Sequence, residues 1–304
     1  MAKRTAGYTS PGIRKLATLP ALLPEFDQFT RINPLKKKPD AVIGWGLKAT
    51  SVRARRYAQG HELAYIALED GFIRSLGLGV NGFQPHSMVV DETGIYYDAS
   101  RPSDLENWLN VAAFDGEELE QAERCMALIA HYRLSKYNHA PDQPVNNASR
   151  ERVLVVDQTA GDASIHYGGA SASSFNQMLE AALAEHPDAE ILVKIHPDVI
   201  AGKKQGHLLN AASHHRCKVI GEDLNPWALF DQVGHVYVVT SQLGFEALLA
   251  GKQVHCFGIP FYAGWGLTHD QLPCQRRRVK RTLVEVFAAA YLRYCRYANP
   301  STRQ

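Results

Sequence analysis

Short apolar runs, rich in β-branched and aromatic residues, alternate along the whole chain with longer segments of helical spacing. This alternation is typical of parallel sheets joined by crossover helices, so the sequence predicts an α/β protein. The runs after residue 151 are almost continuously apolar, as strands covered on both faces are. The runs are AVIGWG (41–46), AYIAL (64–68), GIYYDA (94–99), RVLVVD (152–157), EILVKI (190–195), CKVI (217–220), HVYVVT (235–240) and QVHCFG (253–258).

The length of the chain favours two domains. It has 304 residues, and domains usually contain roughly 100 to 200 residues. The segment APDQPVNNASRE (140–151) is poor in large apolar residues and reads as a linker. We therefore predict one domain over 1–145, a Rossmann-like domain over 146–280, and a C-terminal helix and tail over 281–304, with a cleft between the two domains.

Composition excludes several classes of protein. The formal net charge is +2, so bulk charge gives no reason to expect nucleic acid as a partner. No apolar stretch reaches the about 18 residues of a membrane span, and the basic start lacks a continuous apolar region. The five cysteines lie far apart without a CxxC pair, which argues against a disulfide framework and a zinc site. We expect a protein of the reducing cytoplasm.

The tripeptide His-Pro-Asp occurs twice, at 186–188 and at 196–198. The first copy ends a predicted helix, where Pro187 acts as a stop signal, and we interpret it as structural. The second copy follows the run EILVKI, which places His196 at the carboxyl end of a parallel strand. Open α/β sheets bind ligands at that edge. His196 and the adjoining Pro197 are therefore candidate site residues.

Other polar residues are predicted to lie at the same sheet edge. Lys194 precedes His196 by two residues and shares its face of the strand, so both can approach one anion. Glu222 follows the next run and could accept hydrogen bonds from a ribose. The predicted strand, turn and helix of VYVVTSQLGFEALLAG offer backbone N–H groups and hydroxyls for a phosphate. This segment contributes Thr240, Ser241, Gln242 and Glu246.

Each of these residues also has a purely structural interpretation. Lys194 could be a solvated charge, Glu222 a loop acid, and Ser241 a helix cap followed by surface residues. Because the polar positions follow successive strands, we favour a nucleotide or sugar-phosphate site over independent structural roles.

Several longer blocks resemble the retaining β-Kdo transferase modules of the KpsC family of capsule polysaccharide proteins. The blocks are LEDGFIRSLGLGVNG (68–82), GIYYDASRPS (94–103), LSKYN (134–138), VLVVDQTAGDAS (153–164), VKIHPDVIAGKK (193–204) and VTSQLGFEALLAGKQVHCFGIPFYAGWGLT (239–268). The resemblance implies a GT-B fold of two Rossmann-like domains, with 1–145 as the acceptor-side domain and 146–280 as the CMP-Kdo-binding domain. It implies transfer of Kdo from CMP-Kdo, with retention, to a phosphatidylglycerol-linked Kdo acceptor. KpsC carries two such modules, and YTSPGI near the start resembles the amino-terminal one, which is associated with the β-2,4 linkage.

The resemblance also implies roles for individual residues. Asp162 becomes the nucleophile of a double displacement, while Asp157 is interpreted as structural. Glu69 or Asp70 becomes the base for the acceptor hydroxyl. Arg74 either pairs with the Kdo carboxylate or forms a salt bridge with Glu69 or Asp70.

Positive charge and hydrogen-bond donors are expected to assist departure of CMP. We assign this function to Lys194, His196 and the Ser241 turn. No metal or other cofactor is expected, because a DxD box and zinc-like spacing are both missing from the sequence.

A basic turn, QRRRVKR (275–281), could approach anionic lipid at the inner face of the inner membrane. Two alternatives to retaining transfer remain open at this stage. One is an inverting CMP-sugar transferase similar to sialyltransferases, and the other is a noncatalytic sugar-binding module for capsule export.

Overall fold

The computed structural model describes residues 3–33, 35, 37–143, 150–299, 301 and 302. In this part of the chain, twelve strands form two six-stranded sheets. The strands are β1 Thr5–Tyr8, β2 Gln28–Arg31, β3 Ala41–Trp45, β4 Ala64–Asp70, β5 Ser87–Asp91, β6 Arg152–Val156, β7 Glu190–Lys194, β8 Cys217–Ile220, β9 His235–Val238, β10 Gln253–Cys256, β11 His269–Asp270 and β12 Cys295–Tyr297.

Helices connect most of the strands. The α-helices are α1 Pro11–Arg14, α2 Leu19–Leu22, α3 Val52–Gly60, α4 Asp104–Val111, α5 Gly116–His131, α6 Ala163–Tyr167, α7 Ala172–Glu185, α8 Pro197–Ile200, α9 Pro226–Phe230, α10 Leu243–Leu249 and α11 Leu283–Phe287. Short 3₁₀ helices span Ala49–Ser51, Gly79–Asn81 and Leu209–Ser213, and a π-helix spans Ala288–Tyr294.

The two sheets are mostly parallel, which confirms the predicted α/β class. The first has the order β12-β5-β4-β3-β1-β2, with β1 to β4 parallel and both β5 and β12 antiparallel to their neighbours. The second has the order β11-β10-β9-β6-β7-β8 and is parallel throughout. The carboxyl ends of its strands therefore share one edge.

Central strand β6 shows why its sequence is apolar at every position. Val153 and Val155 pack in a core with Phe175 and Met178 of α7 on one face of the sheet. Leu154 belongs to a different core on the other face. Both faces are covered, as the continuous apolar run predicted.

The C-terminal segment differs from the single helix that we expected within 281–304. The α-helix ends at Phe287, the π-helix continues to Tyr294, and Cys295–Tyr297 then form strand β12 beside β5. Tyr294 is buried, and its hydroxyl donates to Asp91 of β5. The amphipathic pattern was read correctly as far as Tyr294, but pairing with the first sheet takes the last residues out of the helix.

A second correction concerns the run GIYYDA (94–99), which forms no strand. Asp91 accepts hydrogen bonds from the N–H groups of Thr93 and Gly94, at 2.9 and 2.6 Å, and this turns the chain out of the sheet. The neighbouring strand is Ser87–Asp91 instead. Half of the predicted linker, residues 144–149, which include the boundary between residues 145 and 146, lies outside the described residues.

The basic turn is largely engaged within the protein. Arg276 and Arg277 both pair with Glu106 of α4, at 2.6 and 3.1 Å, and Arg281 pairs with Glu285 at 2.9 Å. These contacts tie the turn to α4 and α11. No helix among the described residues is long and apolar enough to span a bilayer.

Candidate active site

A cavity of about 790 Å³ lies between the two sheets, at the carboxyl ends of β4, β6, β7 and β9. It brings together many of the residues predicted from the sequence: Glu69, Asp70, Asp162, His196, Thr240, Ser241 and Gln242. These residues come from both halves of the chain. We call this space the main cavity.

Asp162 is held by the turn that follows β6. Gly161 before it has a φ of 84°, a left-handed conformation that favours glycine. Asp162 caps α6, and its Oδ1 accepts hydrogen bonds from the N–H and the hydroxyl of Ser164, both at 2.9 Å. Its Oδ2 has only a long contact of 3.5 Å with the amide of Gln158. One carboxylate oxygen is thus fixed while the other remains available.

A hydrogen-bond network supports this carboxylate. The Gln158 side chain accepts from the N–H of Thr240 at 3.0 Å, and its amide lies 3.1 Å from the Thr240 hydroxyl. The hydroxyls of Ser164 and Thr240 are 3.0 Å apart. The loop after β6 is therefore joined to the loop after β9. Gln158 and Ser164 were not singled out from the sequence, although both lie in the block VLVVDQTAGDAS.

Asp157 lies at the base of the same loop. Its carboxylate accepts from the N–H groups of Gln158, His207 and Leu208 at 2.9 to 3.3 Å. Burial raises the pKa of Asp157, although these hydrogen bonds oppose the effect. The contacts agree with the structural role that we gave this residue.

Glu69 and Asp70 end strand β4, and each carboxylate is paired with a cation. Lys48 Nζ lies 2.7 Å from Glu69, and Arg74 Nε lies 2.8 Å from Asp70. Of the two roles expected for Arg74, the structure shows the salt bridge, with Asp70 as the partner. Its buried guanidinium also donates to Ser75 Oγ at 2.8 Å.

His196 has a defined hydrogen-bonding state. It caps α8, and its Nδ1 accepts the N–H of Asp198 at 3.1 Å. Burial lowers its pKa, and the positive charge of Lys204 adds to the effect. The imidazole is therefore neutral near pH 7, with its proton on Nε2, and serves as a hydrogen-bond donor.

A second cavity of about 400 Å³ adjoins the first, and His196, Ser241 and Gln242 line both. It adds the predicted residues Lys194, Pro197 and Glu246. We call it the donor cavity, after the sugar donor that the sequence resemblance predicts. Burial lowers the pKa of Lys194.

Glu222 follows the carboxyl end of β8, as the sequence suggested. Its side chain is exposed and lines neither cavity among the described residues. Its main-chain carbonyl accepts a hydrogen bond from Lys194, which draws the backbone rather than the carboxylate toward the site. The next residue, Asp223, lines the donor cavity and lies 2.8 Å from His139 Nε2.

Glu246 is buried and connects α10 to the segment 135–138. It accepts hydrogen bonds from Ser135 Oγ at 2.8 Å, from the N–H of Lys136 at 3.1 Å and from Gln242 at 3.2 Å. Burial raises the pKa of its carboxyl to about 7. Glu246 therefore positions the segment that carries Lys136 and Tyr137 into both cavities.

Lys136 is the main cation that was missed from the sequence. Among the described residues no carboxylate lies within ion-pair distance of its ammonium. Burial by itself lowers the pKa of Lys136, but surrounding acidic groups outweigh this effect and the net pKa is raised. These groups belong to Tyr137, Asp70, Glu69 and Asp162. The ammonium remains charged and available to an anionic ligand; its block, LSKYN, was noted only as a resemblance.

A third cavity of about 460 Å³ adjoins the main cavity through Lys48 and Asp70. It lies against the first sheet, and Trp45, Lys15 and Arg74 also line it. We call it the outer cavity. Its cations are groups that pair with carboxylates.

Comparison with known proteins places this chain in a family. A family model described as capsule polysaccharide biosynthesis protein matches residues 40–149 and 140–297. The chain belongs to the capsule polysaccharide biosynthesis protein family. This confirms the resemblance noted in the sequence.

Curated relatives in this capsule polysaccharide family extend over most of the chain. The capsule polysaccharide modification protein LipA of Neisseria meningitidis serogroup B is 50% identical over 98% of this chain and 44% of its own length. The lipopolysaccharide-processing protein LpsZ of Rhizobium meliloti is 42% identical over 85% of this chain and 60% of its own length. The chain thus spans less than half of LipA.

Two solved structures are also similar. The KpsC β-Kdo 2,4 transferase of Thermosulfurimonas dismutans matches with a TM-score of 0.93 and 45% identity, covering 100% of this chain and 95% of that one. The KpsC β-Kdo 2,7 transferase of the same organism matches with a TM-score of 0.72 and 31% identity, covering 98% and 93%. The predicted GT-B-like architecture, two α/β units around a cleft, is confirmed.

Proposed function

We propose that this chain is a retaining β-Kdo glycosyltransferase of capsule polysaccharide synthesis. It would transfer Kdo from CMP-Kdo to a phosphatidylglycerol-linked Kdo acceptor, forming a β-2,4 linkage. One observation carries the proposal: Asp162, with one oxygen available, shares the main cavity with the acid pair Glu69 and Asp70. The similarity to a structure described as a β-Kdo 2,4 transferase supports the substrate and the linkage.

The donor is proposed to bind across the donor and main cavities. The hydrogen-bonding state of His196 supports this, because its Nε2–H can donate to a phosphate oxygen. Lys136 lines both cavities and Lys194 lines the donor cavity, so that both supply positive charge to the proposed donor site. In this proposal protein groups meet the charge of the departing CMP, and no metal cofactor is required.

The reaction is proposed to proceed by two inversions. Asp162 Oδ2 attacks carbon 2 of Kdo, the bond from that carbon to the phosphate oxygen breaks, and CMP leaves with the electron pair. The acceptor hydroxyl then loses its proton to Glu69 or Asp70 and attacks carbon 2 from the opposite face, which releases Asp162. Two inversions at the same carbon give net retention.

The acceptor is proposed to enter through the outer cavity. That cavity adjoins the acid pair, and its cations suit the carboxylate of an acceptor Kdo. A lipid-linked acceptor would bring the protein to the inner face of the inner membrane, in the cytoplasm. Since three arginines of the basic turn are paired internally, a contact with anionic lipid would rest on Arg278 and Lys280.

The test is to incubate the chain with CMP-Kdo and a synthetic β-Kdo acceptor and to analyse the product by mass spectrometry and NMR. We expect one added Kdo in β-2,4 linkage. An α-linked product would favour the inverting CMP-sugar transferase. Binding of sugar without turnover of CMP-Kdo would favour the noncatalytic export module.

A further inference from the structure

A cluster of histidines lies at the amino edge of the second sheet, opposite the edge that forms the cleft. His235 begins β9, Glu151 directly precedes β6, and His186 caps the helix that leads into β7. Because these strands are parallel, their amino ends meet. One ligand atom from each of the three side chains lies within 4.8 Å of the other two.

Hydrogen bonds orient His186 toward Glu151. The Tyr237 hydroxyl donates to Glu185, so it can only accept from His186 Nε2, which is 3.2 Å away. In a neutral imidazole this leaves a lone pair on His186 Nδ1, which lies 3.4 Å from Glu151 Oε1. Two acceptor atoms that face each other repel unless a cation lies between or beside them.

A second series of side-chain contacts orients His235. The carboxylate of Glu185 is 3.7 Å from His255 Nδ1 and favours a proton on that nitrogen. His255 Nε2 then accepts from His235 Nδ1 at 3.2 Å, which leaves the lone pair of His235 on Nε2. Through these two series of contacts, Glu185 determines which ring nitrogen carries the proton in His186 and in His235. Each imidazole then keeps a lone pair that can bind a metal ion.

We propose that Glu151, His186 and His235 bind one divalent transition-metal ion of the Zn²⁺ class, with water in the remaining position. Two imidazoles and a carboxylate suit zinc and neighbouring metals and match magnesium or calcium poorly. Glu185, Tyr237 and His255 are positioning residues, which hold the ring tautomers. The ion would tie the start of β6 to α7 and β9, far from the transfer chemistry.

The test uses the chain without an affinity tag, freed of metal by a chelator and titrated calorimetrically with Zn²⁺ alone. We expect one strong site, no comparable binding of Mg²⁺, and a rise in Tm when Zn²⁺ is present. Glu151→Gln and His235→Gln should each weaken Zn²⁺ binding at least tenfold. Tyr237→Phe, which removes no ligand, should weaken it about 10- to 100-fold.

His215→Gln is the matched control, because this exposed histidine lies outside the cluster, and its Zn²⁺ affinity should equal that of the wild type. If His235→Gln unfolds, Glu151→Gln supplies the result, since the Glu151 side chain is 57% exposed. Equal Zn²⁺ affinity in the wild type and in folded Glu151→Gln would overturn the proposal. So would the absence of Zn²⁺ binding by the wild-type chain. A doubly protonated His186 in its NMR spectrum would then identify the contact with Glu151 as a simple ion pair.

Discussion

At the residue scale, the proposed nucleophile Asp162 differs from its neighbour Asp157 in how its carboxylate is hydrogen-bonded. Ser164 holds one oxygen of Asp162 and leaves the other with a single weak contact. Asp157, five residues earlier in the same loop, is instead occupied by three backbone N–H groups. We therefore expect a covalent intermediate to form on Asp162 and not on Asp157.

If the acceptor base is removed, the second inversion should slow more than the first. In Glu69→Gln or Asp70→Asn mixed with CMP-Kdo and no acceptor, we expect intact-protein mass spectrometry to show one added Kdo. Trypsin leaves both aspartates in a single peptide, because no lysine or arginine occurs between residues 153 and 193. Fragment ions must therefore assign the adduct to Asp162.

Addition of Asp162→Ala to either variant should abolish that adduct and serves as its control. An adduct on Asp157 would reassign the nucleophile. Full retention without any adduct would favour attack from the face of the leaving group.

His196 should contribute to CMP binding as a neutral donor. We expect His196→Ala and Lys194→Ala each to weaken CMP binding by about 1.5 to 3 kcal/mol, the usual contribution of a charge-assisted hydrogen bond. Isothermal titration calorimetry with CMP measures the effect, and the exposed His215→Ala is the matched control. Wild-type affinity in both variants would place the phosphate elsewhere.

At the scale of single elements, α10 positions the segment 135–138 through the buried Glu246. Burial raises the pKa of this carboxyl from 4.5 to about 7, so the folded protein holds the proton more tightly than the unfolded chain. Ionisation between about pH 4.5 and 7 therefore destabilises the folded state.

Glu246→Gln removes this titration. Relative to the wild type, we expect the free energy of unfolding of the variant to increase by about 3 kcal/mol from pH 4.5 to pH 7 and to change little above it. Urea denaturation at a series of pH values measures the difference. A constant difference over this range would mean that Glu246 titrates normally.

Lys15, which follows α1, tests the outer cavity as the acceptor site. It is exposed and lines that cavity, whereas its neighbour Arg14 is exposed and does not. We expect Lys15→Ala to raise the KM for the Kdo acceptor about tenfold with unchanged kcat, since an ion pair made equally in ground and transition states affects binding alone. Arg14→Ala should behave as wild type; equal effects of both variants would indicate general electrostatic attraction.

At the scale of the whole molecule, Glu106 of α4 links the first half of the chain to the basic turn of the second. Its carboxylate is buried and pairs with both Arg276 and Arg277. Arg277 is buried as well, so loss of Glu106 leaves a guanidinium charge without its anion in a dry environment.

We expect Glu106→Gln to lower the free energy of unfolding by about 3 to 5 kcal/mol in urea denaturation. Glu120→Gln is the control, because its salt bridge with Arg124 is 3.7 Å long and exposed, and it should change stability by less than about 0.5 kcal/mol. A similarly small effect in both variants would mean that the ion pairs of Glu106 with Arg276 and Arg277 contribute little to the stability of the folded chain.

Sequence patterns alone predicted strands β6 to β10 of the second sheet and the sheet edge where the candidate site lies, but not strand β11. Period and composition suffice for strands such as β6 and β7, because a strand covered on both faces must be apolar throughout. The position of His196 was predicted from the end of β7. The role of Asp162 was predicted from the resemblance of its loop to the KpsC family. These inferences depend on residues that are close together along the chain.

Contacts between residues that are distant along the chain became evident only in the folded structure. Glu246 bonds to Ser135, and the metal-site candidates Glu151, His186 and His235 come from separate elements. Strand β12 forms only because the chain returns to the first sheet, where β5 supplies hydrogen-bond partners that no local pattern encodes. Local periodicity reports which face of an element is buried, whereas contacts between elements depend on how the sheets and helices pack in three dimensions.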